Sequence, residues 1–238
     1  MSLPLFTPPQ DYPRLKVVGS FEELVMTQMR DGINALCWPR MLPGDFGEIV
    51  EKLGVGKGIT SLDEERLLAL ELSNEGRVAR EVLLQDQELL RARELQPSLD
   101  CINGYANDIE PDLLRTDVQS WHVDSATVEA DTYLCTYFGA ASEGLRNEEA
   151  MRRVDVPELR AELRQLYGGG DDVGFRDFLN ENYLDLHYKP LPHALPFSFG
   201  LGHLWRIATL YPESPVPPCI HRAPATLPGQ PPRLLLIS

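Results

Sequence analysis

At 238 residues, 43% of them hydrophobic, the chain is long enough to bury a substantial core, and a single domain spanning residues 1–238 is expected. A net charge of −14 opposes a phosphate backbone and no basic patch offsets it, so no nucleic-acid partner is expected. Cysteines 37, 101, 135 and 219 lack C-x-x-C spacing and read as reduced thiols; with no run of 18 apolar residues, no membrane partner and a cytoplasmic location are expected.

Pro4, Pro8, Pro9 and Pro13 predict an extended arm over residues 1–14. Ser20 and Glu23 have capping-box spacing, and Phe21, Leu24, Val25 and Met29 then recur at helical intervals up to Gly32. Residues 33–38 read as a strand stopped by Pro39, and residues 45–53 as a short helix ending at Gly54. The glycine-rich residues 54–60 fail as a phosphate loop, because the glycine spacing is wrong and Gly58 rather than a hydroxyl residue follows Lys57. They read as a loop between helices. Ser61 and Glu64 repeat the capping box and open a helical region to about Leu95, broken near residues 74–76. Its apolar positions lack sustained heptads and predict a face packed on the rest of the fold, not a partner-binding coil.

Strand-like segments dominate after Cys101. Residues 131–138 are aromatic and β-branched up to Gly139 and predict a strand. Asp155, Pro157 and Glu158 open a helix with Leu159, Leu163, Leu166 and Tyr167 on one face, stopped by Gly168. A second helix over 174–183 completes an insert, 155–184, of the kind that covers a pocket mouth. Residues 195–210 return to strand chemistry, prolines between 212 and 232 hold the connections extended, and residues 233–237 form a last strand. This rhythm suits a mainly β protein with appended helices around a jelly-roll barrel.

His122 and Asp124, two residues apart on an extended segment, point to one side and can reach one metal ion. His221, from a distant strand, completes a set of two imidazoles and a carboxylate that leaves three octahedral positions open. Structural alternatives are a surface hydrogen-bonded pair for His122 and Asp124 and a core imidazole for His221. Arg233, on a strand neighbouring His221, offers a fixed guanidinium to the same cavity, with Arg206 as its rival. Arg206 and Arg40 could each anchor a substrate carboxylate. Tyr133 and Tyr137 share one face of their strand and Thr136 the other; whichever face points inward could bind a co-substrate. His193 and His203 read as structural.

In that order, His122, Asp124, His221 and Arg233 resemble the pattern of the Fe(II)/2-oxoglutarate-dependent dioxygenase superfamily. The stretch from His221 to Leu236 looks most like its phytanoyl-CoA hydroxylase-type and related small-molecule branches. The resemblance covers roughly residues 115–238. One departure is Leu235, where many members carry a hydroxyl two residues after the arginine. The resemblance implies a double-stranded β-helix core, Fe(II) on the three ligands, 2-oxoglutarate as co-substrate with its far carboxylate on Arg233, and O2 as oxidant. The implied reaction oxidises a C–H bond of a small molecule, with an amino acid or similar acid as candidate, giving hydroxylation, desaturation or ring closure. A monomer or homodimer is expected. The competing readings are a cupin-like metal-dependent hydrolase or isomerase that needs no 2-oxoglutarate, and a metal-free binding or regulatory barrel.

Overall fold

The computed structural model describes residues 8–9, 11–105, 112–225 and 229–238. Residues 1–7 and 10 of the expected arm, and residues 227 and 228 of the last loop, lie outside the described residues. In chain order the elements are β1 (Leu15–Val17), α1 (Phe21–Met26), β2 (Ala35–Trp38), α2 (Phe46–Leu53), β3 (Gly58–Ser61), α3 (Glu64–Leu68), α4 (Asn74–Arg91), β4 (Ser98–Asn103) and β5 (Asp131–Phe138). They continue with β6 (Glu143–Leu145), β7 (Ala150–Arg152), α5 (Pro157–Tyr167), α6 (Val173–Glu181), β8 (Tyr188–Pro190), β9 (Phe197–Ser198), β10 (Leu204–Ala208), β11 (Ile220–Arg222) and β12 (Arg233–Ile237).

Local chemistry sets many of the boundaries. Ser20 accepts from the Glu23 N–H while the Glu23 carboxylate accepts from the Gly19 N–H, which fixes the start of α1. That helix ends at Met26, earlier than its apolar spacing suggests. Asp45 caps α2, and Gly54 ends it in the left-handed region at φ 53°. The caps of α3 and α4 are Asp63 and Ser73, so the long helical region breaks before residue 74. Residues 58–60, expected as a loop, and Ser61, expected to cap a helix, form the edge strand β3, paired antiparallel with β4. Asp155 does not cap α5: its carboxylate binds Arg152, and the helix starts on Pro157 without a side-chain cap.

Seven strands form one sheet in the order β1-β2-β10-β5-β12-β4-β3, antiparallel except for the β1–β2 pair. A second sheet has the order β11-β6-β9, and β7 pairs with β8. The expected mainly β jelly-roll barrel is not what forms. Helix makes up 31% and strand 24% of the described residues, and no sheet closes on itself, since β1 and β3 remain as edges. The reason is local: most strands after β5 hold only two to five residues, while α4 alone holds 18.

The side-chain alternation of the large sheet gives it two different faces. Leu36, Tyr133, Cys135, Tyr137, Leu204 and Leu234 pack with α2 and α4 residues such as Ile49, Leu83 and Leu90. On the other face Cys37, Leu134, Trp205, Ile207 and Leu235 pack with Phe199 and Cys219, beside the small sheet. A bulge places Leu234 opposite Phe138 and Leu235 opposite Thr136, leaving Tyr137 extra, so that Tyr137 and Phe138 both turn to the helical side. Helices α5 and α6 build a small core of their own from Leu163, Phe175, Leu179 and Leu184. Among the described residues no helix is long and apolar enough to cross a membrane.

Candidate metal centre

The segment carrying His122 is extended and bridged on both sides. His122 N donates to His221 O at 3.0 Å, and His221 N returns to His122 O at 2.9 Å. On its other flank His122 bridges His187. Residues opposite each other across a sheet project from the same face, so His187, His122 and His221 form a row. The row continues to Gly144 and Phe197 of the small sheet. At Gly144 a Cβ would collide with the rings of Phe197 and Phe199, so the absence of a side chain there lets the aromatics wall the space next to His221. Ladder hydrogen bonds are what bring together ligands about a hundred positions apart in the chain.

His122, Asp124 and His221 each offer one ligand atom, all within 4.8 Å of one another. His122 Nε2 lies 3.8 Å from Asp124 Oδ1, and His221 Nε2 lies 3.7 Å from Asp124 Oδ2. Two atoms sharing one ion at about 2.1 Å each can be no more than about 4.2 Å apart, and each histidine lies inside that limit from one of the two Asp124 oxygens, His122 from Oδ1 and His221 from Oδ2. The tautomers fit as well. His122 Nδ1 lies 2.8 Å from the Ser120 carbonyl and His221 Nδ1 lies 3.2 Å from that of Cys219. A carbonyl only accepts, so each Nδ1 carries the proton and each Nε2 presents a lone pair to the ion. Thr132 donates to Asp124 Oδ2 at 2.5 Å, orienting the third ligand.

The electrostatics agree. Burial, with the neighbouring His221, pushes the His122 imidazole down to about 4, against the pull of the Ser120 carbonyl and Asp124. Burial works to raise the Asp124 carboxyl, but His221, the Thr132 hydroxyl and His122 together hold it below its ordinary value. A neutral imidazole and an ionised carboxylate are the forms that bind a metal. The three side chains make a metal-binding triad of the two-histidine, one-carboxylate type, consistent with a metal-dependent enzyme. A cleft of about 220 Å³ opens onto His122 and Asp124, walled also by Asp117, Ser125, Tyr183 and His187.

Arg233 lies on β12 of the large sheet and His221 on β11 of the small one, so the two are not on neighbouring strands as expected. Arg233 is buried, and no carboxylate approaches it among the described residues. Its Nε donates to Ala140 O at 2.7 Å, and its two terminal nitrogens donate to Tyr105 Oη and Ser142 Oγ, each at 2.9 Å. Burial lowers its affinity for the proton, opposed by Tyr105. Thr136, 3.5 Å from the guanidinium, sits four residues along β5 from Thr132, the partner of Asp124, so triad and arginine share the inner face. The hydroxyls of Tyr105, Thr136 and Ser142 surround the guanidinium where Leu235 offers none.

Arg206, Tyr133 and Tyr137 lie on the helical face, away from the triad. Arg206 pairs with Asp131 at 2.7 Å and donates to the carbonyls of Leu24, Val25 and Thr27, closing the end of α1. Tyr133 packs under it, and Tyr137 donates to Asp86 at 2.6 Å. Arg40 is held by both oxygens of Asp86, at 2.7 and 2.8 Å, and accounts for no substrate carboxylate. His203 Nδ1 accepts from Arg40 N.

His187 is the residue that the sequence patterns did not single out. It is buried, its Nδ1 lies 2.8 Å from Tyr183 O, and its ring stacks on His122 with centroids 5.8 Å apart. Its Nε2 is inaccessible to solvent and has no hydrogen-bond partner among the described residues. A buried unmet polar atom costs roughly 1–3 kcal/mol. The one available signal was alternation in Leu186-His187-Tyr188, which sets His187 on the opposite side from its neighbours.

In comparisons with known proteins, no family model, no curated protein and no solved structure matches this chain.

Proposed function

We propose that the chain is an oxygenase that uses Fe(II), 2-oxoglutarate and O2 to oxidise a C–H bond of a small molecule. The observation that carries this reading is Arg233, a buried cation with only neutral partners on the sheet face that also carries Thr132, the partner of the triad's Asp124. Burying a charge without its counter-charge costs several kcal/mol, and a bound anion removes that cost. Thr132 and Thr136 are separated by about 13 Å of strand. That distance, less the reach of the side chains, suits a five-carbon dicarboxylate. A ligand that chelates at one end and carries a carboxylate at the other satisfies the open metal positions and Arg233 together, and 2-oxoglutarate has this form.

Bound iron with its co-substrate supplies the oxidising power for C–H cleavage. The chain's own part is placement. His122 and His221 present Nε2 lone pairs, Thr132 orients Asp124, and Ser142 and Tyr105 hold the Arg233 fork so that it meets a carboxylate with two parallel hydrogen bonds. Leu134 and Leu235 make the same inner face apolar. Fe(II)-loaded protein incubated with 2-oxoglutarate under air tests this by succinate release. Succinate is expected from the natural chain and lost in Asp124→Ala and Arg233→Met. Absence of succinate from iron-loaded protein, or metal-dependent turnover of a substrate that ignores both 2-oxoglutarate and Arg233→Met, contradicts the reading and favours a hydrolase or isomerase.

A further inference from the structure

The cleft over the triad has a chemical bias of its own. Its polar walls are Thr116, Asp117, Ser125, Tyr183 and His187 with the ligands His122 and Asp124, and among the described residues neither lysine nor arginine lines it. The arginines of this region are engaged elsewhere: Arg115 reaches Asp117 at 3.1 Å, and Arg153 donates to the carbonyls of Leu113 and Arg115. Arg40 and Arg206 lie behind the sheet, each paired with an aspartate. A substrate acid therefore finds no ammonium or guanidinium among the described walls of the cleft, where Asp117 is already paired with Arg115.

His187 supplies the complementary feature. Its Nδ1 donates to Tyr183 O, which leaves Nε2 as a lone-pair acceptor. The Asp117 carbonyl and carboxylate lie near the ring and favour a proton on it, yet among the described residues no group is close enough to Nε2 to complete a hydrogen bond. The ring stands in the histidine row, one strand from the ligand His122, and His187 forms part of the cleft wall with Nε2 just beneath the surface. Buried acceptors are matched in folded proteins, and the match missing here is a donor brought by a ligand.

We infer that the cleft takes a neutral or cationic substrate bearing an N–H or O–H group, not an acid held by its carboxylate, and that His187 Nε2 accepts the hydrogen bond that positions it. This rests on the triad being a metal centre and replaces the amino-acid candidate suggested by Arg40 and Arg206. Reaching Nε2 requires a small movement of Tyr183 or the 116–118 segment, both on the cleft wall.

Three probes with one carbon skeleton test it: cyclohexylamine, cyclohexanol and cyclohexanecarboxylate, titrated into metal-free protein and into zinc-loaded protein saturated with 2-oxoglutarate. Nitrogen-15 spectra of the histidine side chains give the readout. Amine and alcohol should bind at least about ten-fold tighter than the carboxylate and shift the Nε2 resonance that disappears in His187→Phe. His187→Phe should lose that preference, and His187→Gln, whose amide oxygen can accept, should recover part of it. Equal or tighter binding of the carboxylate, binding of no probe, an unmoved Nε2 resonance or unchanged affinity in His187→Phe overturns the inference. Zinc uptake is measured separately: its failure counts against the metal reading, whereas the probe ranking in metal-free protein judges the cleft alone.

Discussion

The two faces of the seven-stranded sheet treat buried charge in opposite ways. On the helical face Arg40 meets both oxygens of Asp86, Tyr137 adds a further hydrogen bond to that carboxylate, and Arg206 meets Asp131. On the inner face Arg233 meets hydroxyls and a carbonyl, and in the histidine row beside that face the Nε2 atoms of His122, His187 and His221 make no hydrogen bond among the described residues. Closed networks hold a fold in one arrangement, and open ones leave valences for something the chain does not itself contain. The difference separates the scaffold from the site without reference to any relative.

Replacing each arginine in turn is the sharpest way to break that contrast. Arg40→Met strands the Asp86 carboxylate among apolar side chains and should cost about 3–5 kcal/mol in urea unfolding. Arg233→Met strands no opposite charge, so the ligand-free protein should be as stable as the natural chain or more so. The same substitution should weaken 2-oxoglutarate binding to zinc-loaded protein by about 2–5 kcal/mol in calorimetry, with metal uptake unchanged. Equal destabilisation by both substitutions would mean that the faces do not differ.

The metal-binding triad was legible because its core signal is short, a His and an Asp in strand spacing, to which one distal His is added. The caps at Ser20, Asp45 and Gly54 were legible for the same reason, since each depends on atoms three or four residues away. The facing of a strand is a long-range property. Arg206 and Arg233 both sit among apolar strand residues, and only the pairing of β10 and β12 on either side of β5, with the bulge at Tyr137, turns one toward the helices and the other inward. The closed barrel failed on similar grounds, because strand-like composition does not say whether edges pair. His187 joins the site only through the bridge to His122, which no local pattern encodes.

Smaller effects refine the comparison. Thr132→Val keeps the shape of the inner face but removes the hydrogen bond that orients Asp124, and should weaken zinc binding about 10- to 100-fold in competition with a chelator, with little change in folding. His203, on the Arg40 side, gives a pH signature. Burial and the Arg40 charge hold its imidazole below the ordinary value, so the unfolded chain takes up the proton first as pH falls. Its contribution to stability is complete above about pH 6.5 and is lost as the pH falls through the folded value. The drop in urea midpoint between pH 7.5 and pH 5.5 should be smaller in His203→Gln.

The most direct measurement is anaerobic titration of the purified chain with Fe(II), followed by removal of free metal and determination of iron per chain. One iron bound per chain in the natural protein, and none in Asp124→Ala or His221→Ala variants that retain native circular dichroism, is the result expected. Uptake that is substoichiometric, or that survives both substitutions, would contradict a metal centre at this triad.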